Sequence, residues 1–266
     1  MPQINLRHGI RQEKNMQDIL IFENVRQVFY TDTQETVAIE DLSFAVKKGQ
    51  FAAILGPSGC GKTTVLSLIS RLIKPTSGQI KILSDNPNAV GYMLQHDHLF
   101  GWRTIEKNIT LGLEILGKKS KEDYLYANTL MEKYGLGEFK THYPNQLSGG
   151  MRQRTALIRT LATRPDILLL DEPFSALDYQ TRLNVCEDVY SIIRKENKTA
   201  ILVTHDISEA ISLADVIFVL TARPSTLRAT HVTGLQDIPS PLKRRESKDF
   251  SAQFQILYNY LNGGNK

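Results

Sequence analysis

GPSGCGKTT, residues 56–64, stands between two apolar runs, FAAIL at 51–55 and VLSLISRLI at 65–73. Gly56, Gly61, Lys62 and Thr63 meet the spacing GxxxxGK(S/T) of a phosphate-binding loop, with Pro57, Ser58, Gly59 and Cys60 inside it and Thr64 just beyond. FAAIL has the length and apolarity of a buried strand. In the following run Val65, Leu66, Ile69, Leu72 and Ile73 share one helical face. The loop is therefore expected to join a strand to a helix. Glycines allow positive φ and bring backbone N–H groups close to phosphate oxygens, and the helix N-terminus adds partial positive charge. Lys62 is expected to reach the β and γ phosphates of a nucleoside triphosphate, and Thr63 to place its hydroxyl on Mg²⁺, a hard cation that prefers oxygen.

The rest of the composition is compatible with such a role. At 266 residues the chain can bury a substantial core as one large α/β domain, or as one domain with an inserted lobe. Its 32 basic residues are offset by 28 acidic ones, and a net charge of +4 does not call for a nucleic-acid partner. No apolar stretch approaches the ~18 residues of a membrane span. The start, MPQINLRHGIRQEKN, has no hydrophobic signal core, so the chain is expected in the cytosol. Residues 1–18 are polar without periodicity and are expected to be a flexible extension. Cys60 and Cys186 form no ligand cluster and are expected to stay reduced. An alkylating reagent at Cys60 is expected to block nucleotide binding.

ILIFENVRQVFY and LSFAVKKG alternate as antiparallel strands do, with TDTQE as their turn. Phe29 or Tyr30, next to that turn, is placed to stack on a base or simply to pack. QIKIL reads as a short strand after the turn KPTSG. VGYML, ILLLDE, AILVTHD and VIFVL follow as apolar strands, the last three separated by helical patterns. Such alternation predicts a parallel sheet covered on both faces. The mainly helical stretch 97–165 looks like a lobe inserted between VGYML and ILLLDE.

Open α/β sheets bind ligands beyond the carboxyl ends of their strands. ILLLDE ends in Asp171, placed to hold Mg²⁺, and Glu172, placed to orient and deprotonate an attacking water. The same two acids could instead cap the next helical turn. His205 ends AILVTHD and is either a hydrogen-bond donor to the γ-phosphate or a structural residue. Gln95 ends VGYMLQ, and its carbonyl oxygen could ligate Mg²⁺ or the attacking water. Each polar residue terminates a different apolar strand in a chain that already has a phosphate loop, and that convergence defines the candidate site.

LSGGMRQRTALIRTLATRP, residues 147–165, contains a second anion-binding terminus: Ser148 as N-cap, with the backbone of Gly149 and Gly150 opening a helix. One triphosphate in the first loop does not need it. Two copies arranged head to tail would use it, each covering the nucleotide of the other.

In this order GPSGCGKTT, Gln95, LSGGMRQR, LLLDEP, SALD and VTHD resemble the ATP-binding subunit of ATP-binding-cassette (ABC) transporters, over residues 19 to about 223. The resemblance implies a P-loop NTPase sheet domain, α/β in class, with an antiparallel β subdomain and an inserted helical lobe. It implies Phe29 as the adenine-stacking aromatic, Gln95 as the Q-loop residue, and Ser148 to Gly150 as the signature contacting ATP across a dimer. Glu172 would be the catalytic base, Asp178 the D-loop aspartate coupling the two sites, and His205 the switch histidine. ATP and Mg²⁺ are the implied ligands. The implied partners are a second copy, two transmembrane permease subunits and, indirectly, a solute-binding protein, with the chain peripheral on the inner face of the membrane.

HDHLFGWRTIEKNI, the MRQR continuation, DEPFSALD and THDISEA resemble importers of the nitrate, sulfonate and taurine group. Relatives there often have proline where this chain has Gly101, and LSDNPNAV is shorter than usual and lacks a glycine-rich turn. Both departures bear on the substrate class. The expected layout is an ATPase domain at 19–235 and a tail at 236–266, too short for the regulatory barrel of sugar and polyamine importers. In that tail Phe250, Phe254, Leu257, Tyr258 and Leu261 repeat at helical spacing and are expected to pack on the domain. A soluble cassette acting on DNA or ribosomes is the rival reading. The long coiled coil of repair cassettes and the tandem cassettes of ribosomal ones have no counterpart in this sequence.

Overall fold

The computed structural model describes residues 17–31, 33–118 and 120–263. The expected N-terminal extension lies outside this range apart from Gln17 and Asp18, and Asp18 already opens the first strand.

Strand β3 (Phe51–Leu55) is wholly buried because both of its faces are covered. Phe51, Ala53 and Leu55 join one apolar cluster, and Ala52 and Ile54 join another on the opposite face. Parallel strands flank it: β8 (Val216–Leu220) on one side, then β7 (Thr199–Thr204), β6 (Ile167–Asp171) and β5 (Val90–Met93) on the other. These are the expected apolar strands, read in register with β3. Helix α1 (Lys62–Ile69) leaves the phosphate loop. It is shorter than the apolar spacing suggested. Arg71 adopts φ 60°, which terminates the helix, and Leu72 is left 71% exposed instead of lying on its buried face.

β1 (Asp18–Tyr30) and β2 (Glu35–Lys47) are antiparallel over their length, with β4 (Ser77–Ile82) on the outer side of β1. β2 starts at Glu35 rather than Leu42, since residues 35–41 find partners in the second half of β1. A further strand, β9 (Ser225–Val232), runs antiparallel to β8 and parallel to β2. It joins the antiparallel strands to the parallel ones in a single order, β4-β1-β2-β9-β8-β3-β7-β6-β5.

Between β5 and β6 lie α2 (Ile105–Ile109), α3 (Leu111–Ile115), α4 (Lys121–Lys133) and α5 (Gly149–Ala162). Asn108 is fully buried and its amide bonds Phe100, Arg103 and Thr104, which fixes the loop before α2. After β6 comes α6 (Tyr179–Lys195), and Glu196 at its end accepts from Lys133 Nζ at 2.7 Å, Tyr134 OH at 2.5 Å and Tyr126 OH at 3.3 Å. One carboxylate thus ties α4 to α6.

α7 (Ile207–Leu213) connects β7 to β8. The chain ends in α8 (Pro241–Arg245) and α9 (Phe250–Asn262). Arg244 is fully buried, donating to the carbonyls of Ser212 and Ile238 and to Tyr190 OH. On α9, Leu257 is buried and Phe250 and Leu261 pack against the core. Phe254 and Tyr258 do not: they stand at the surface and stack on each other, centroids 6.4 Å apart. The expected apolar stripe is wider than the core it meets.

Candidate functional site

The loop from Gly56 to Thr63 is folded around its own lysine. Lys62 is 6% exposed, and its ammonium donates to the carbonyls of Gly56 and Pro57, both at 3.0 Å. Gly59 and Gly61 take φ of 75° and 106°, conformations that need glycine. At Gly56 the constraint is space, because a Cβ there would lie 2.8 Å from Cys60 Sγ. Pro57, Ser58, Gly59 and Thr63 are exposed, and Thr64 is half-buried. Cys60 departs from expectation: it is 1% exposed, its sulfur faces the core, and burial pushes its thiol pKa up. An alkylating reagent therefore meets neither an accessible sulfur nor a thiolate. Only the Cys60 backbone belongs to the loop surface.

Asp171, at the end of β6, is 8% exposed. Thr63 donates to one carboxylate oxygen at 3.5 Å and Tyr92 OH to the other at 3.0 Å. Burial pushes the Asp171 carboxyl upward, against the opposing pull of the Tyr92 and Thr63 hydrogen bonds. A hydroxyl and a carboxylate held side by side, the latter disfavoured as a bare anion, are a donor set that fits Mg²⁺.

Glu172 follows with φ 43°, an uncommon conformation for a residue with a side chain. One carboxylate oxygen lies 3.9 Å from Lys62 Nζ and 3.2 Å from His205 Nδ1. The start of α1 and the ends of β6 and β7 thereby converge on one carboxylate. Neither acid caps a helix. That position belongs to Asp178, which accepts from Thr181 N at 3.0 Å at the start of α6 and is held below the usual carboxylate range by that backbone bond. Gln95 joins the cluster indirectly: its amide donates to Ser175 Oγ at 3.2 Å, and Ser175 Oγ donates to the Glu172 carbonyl at 2.9 Å. Its hydrogen bond leads to Glu172, not to the Thr63 and Asp171 pair.

Ser148, Gly149 and Gly150 stand apart from this cluster. Ser148 is exposed, and its hydroxyl accepts from Met151 N at 3.3 Å as the N-cap of α5. A Cβ on Gly150 would lie 3.0 Å from Val185 of α6, and one on Gly149 3.5 Å from Leu177. The small residues let α5 start against the segment that carries Asp178. No hydrogen bond among the described residues joins this surface to Lys62 or Glu172.

Phe29 is 40% exposed and Tyr30 67%. Phe29 pairs with Thr36, and two residues further along β2 the Ala38 carbonyl lies 3.4 Å from where a Gly61 Cβ would be. The register thus brings this end of the β1–β2 pair toward the loop, with Phe29 and Tyr30 on opposite faces of the strand. Tyr92 and Ser175 are contacts that sequence reasoning missed, each a hydroxyl within a motif noted for other residues. A cavity of 670 Å³ lies elsewhere, against Gly49, Tyr190, Arg194 and Asp215, at the amino end of β3 and away from the phosphate loop. No helix among the described residues is long and apolar enough to cross a membrane.

The family model for ABC transporters matches residues 39–175. An uncharacterised ABC transporter ATP-binding protein, YtlC of Bacillus subtilis, is 43% identical over 90% of this chain and 94% of its own. The nitrate import ATP-binding protein NrtD of Synechocystis sp. is 38% identical over 77% of this chain and 79% of its own. Other relatives are named for formylaminopyrimidine import, bicarbonate transport and taurine import. Among solved structures, the ATP-binding cassette MJ0796, dimeric in a post-hydrolysis state with ADP and Pi, superposes with a TM-score of 0.65 and 28% identity over 80% of this chain and 98% of that one. With its loop closed on Lys62 and its strand ends gathered on Glu172, the chain belongs to the ABC transporter family, as an ATP-binding subunit with that family's ATPase activity.

Proposed function

We propose that the chain is the motor subunit of an importer, in which two copies close around two ATP and hydrolysis drives uptake of a small solute of the nitrate, sulfonate or taurine kind through separate membrane subunits. The observation that carries this reading is the Glu172 carboxylate, placed between Lys62 and His205 beside the Thr63 and Asp171 pair. Lys62 and the loop backbone would hold the phosphates of ATP, with Phe29 or Tyr30 against the base. Thr63 and Asp171 would hold Mg²⁺, which when bound neutralises phosphate charge. Glu172 would orient and deprotonate the attacking water, with His205 beside the γ-phosphate and Gln95 linked to the Glu172 backbone through Ser175. Ser148, Gly149 and Gly150 would present the α5 terminus to the γ-phosphate held by the second copy. Asp178, next to that surface, would couple the two sites.

Docking of the membrane subunits is supported by the apolar surface near Gln95. Ile115 at the end of α3 is 75% exposed and Trp102 77%, and Phe100 packs on Trp102 with centroids 4.9 Å apart. A groove of 340 Å³ at Ile115 is lined by Tyr92, Leu111, Leu116 and Arg159. Attachment there would make the chain peripheral on the cytoplasmic face. The solute class follows the sequence resemblance and the nitrate and taurine relatives. The test is sedimentation of Glu172→Gln, which keeps side-chain size but removes the base. It is expected to form a dimer with Mg-ATP and to remain monomeric with Mg-ADP or without nucleotide. Identical sedimentation in all three, with ATP confirmed bound, would count against closure of two copies around ATP.

A further inference from the structure

Glu209 is a buried carboxyl to which the site described above gives no task. It lies in the first turn of α7, is 4% exposed, and forms no ion pair among the described residues. Its side chain accepts one hydrogen bond, from Thr204 Oγ1 at 2.7 Å. Burial pushes its carboxyl pKa up. A buried acid held by a single hydroxyl is a costly arrangement, and what that hydroxyl does explains its place.

Thr204 is the last residue of β7, and its Oγ1 also accepts from Asp206 N at 3.0 Å. A hydroxyl has one proton. Because that proton goes to Glu209, the oxygen's lone pairs are free to face Asp206. The two bonds therefore span His205, fixing the chain before and after it. Asp206 adds a second constraint by accepting from Ser208 N at 2.7 Å and Glu209 N at 3.1 Å. The His205 side chain, in contrast, is 59% exposed, with its Nδ1 3.2 Å from Glu172. Its position is set from beneath, through the backbone. Glu172, Thr204, His205 and Glu209 line one cavity of 90 Å³ together with Ser175, Arg182 and Asp206.

Resting on the reading that His205 acts beside the γ-phosphate, we propose that Thr204 and Glu209 are positioning residues of the ATPase, with Glu209 orienting the Thr204 hydroxyl so that it holds the backbone of His205 in register with Glu172. Neither residue is among those assigned to hold the nucleotide. Their removal acts through His205 and leaves the phosphate loop as it was.

The test measures steady-state hydrolysis of Mg-ATP by the full chain and its variants, together with melting temperatures. Thr204→Val keeps the shape and removes the hydroxyl. It is expected to lower kcat about 10-fold to 100-fold, the scale of losses from misplacing a reacting group, with KM for ATP little changed. Thr204→Ser should restore activity. Glu209→Gln retains an acceptor oxygen and should remain within about 3-fold of wild type, whereas Glu209→Leu should fall as Thr204→Val does. In a His205→Ala background, Thr204→Val should add no further loss. Wild-type kcat in Thr204→Val alongside an impaired His205→Ala, or additive losses in the double variant, would overturn the positioning role alone. Wild-type kcat in His205→Ala would instead remove the role of His205 itself. If Thr204→Val melts below the assay temperature, the contrast between Glu209→Gln and Glu209→Leu decides the same question.

Discussion

Glu172 and Glu196 are both partly covered carboxylates beside a lysine, yet their surroundings differ in kind. Glu196 is saturated: two phenols and Lys133 converge on it at 2.5–3.3 Å, and the residues concerned come from α4, its end and the end of α6. Burial acts to raise its carboxyl, and those three bonds outweigh it and hold the pKa below the usual range. Glu172 has looser contacts at 3.2 and 3.9 Å and a backbone φ of 43°. A carboxylate whose oxygens are all engaged holds a fold together. One with loose contacts can still bond an incoming water. In the proposed mechanism the difference separates an anchor from a reagent, and burial alone would not have distinguished them.

The sharpest way to break that contrast is to neutralise each acid in turn. Glu172→Gln should slow hydrolysis by the ~10²–10⁴ typical of losing a general base, with no loss of melting temperature, since no saturated bond is removed. Lys62→Ala comes next: loss of a charge-assisted contact to phosphate should weaken ATP binding by about 100-fold in calorimetry with Mg-ATP. It also leaves the Gly56 and Pro57 carbonyls without their donor. Glu196→Gln should do the reverse of Glu172→Gln. Losing the ion pair and weakening two phenol bonds should cost about 2 kcal/mol and lower the melting temperature by roughly 5 °C, with kcat for ATP unchanged. A fall in kcat there without a fall in stability would mean that the two acids are not divided as described.

The smallest effect is in pH. A carboxyl with a depressed folded pKa contributes stability above its unfolded value, near 4.5, and loses it as pH falls through the folded value. The melting difference between wild type and Glu196→Gln should therefore be full at pH 7 and should close below pH 4.5. A difference that persisted in acid would assign it to packing instead.

Features carried by neighbours in sequence were legible. The phosphate loop, the apolar strands and the acids at their ends follow from short spacings, and the structure shows the fold that those spacings and the family resemblance implied. β9 was not legible: STLRATHV buries only Ser225 fully and has no continuous apolar face, because its role is to bond β2 and β8 rather than to fill a core. Tyr92 was hidden in an apolar strand, and its bond to Asp171 spans 79 positions. Glu196 gave no signal either, since its three partners come from 62 to 70 positions away. Cys60 illustrates the opposite error. Its place in the loop was correct, but sequence position did not say that its side chain turns inward.

Arg244 carries a consequence for how the chain is made. The carbonyls of Ser212 and Leu213, where α7 ends, and the hydroxyl of Tyr190 on α6 receive their bonds from a guanidinium 31 to 54 positions further on. Synthesis runs from the N-terminus, so β7, His205 and α7 all leave the ribosome before the residue that closes them. The helix secured this late, α7, is the one that directly follows His205. A chain cut before α8 would keep its phosphate loop and acids but leave the α7 carbonyls without their donor. Expression designs that trim the C-terminus should stop short of Arg244, and a tag is better placed beyond α9 than within the segment that crosses α7.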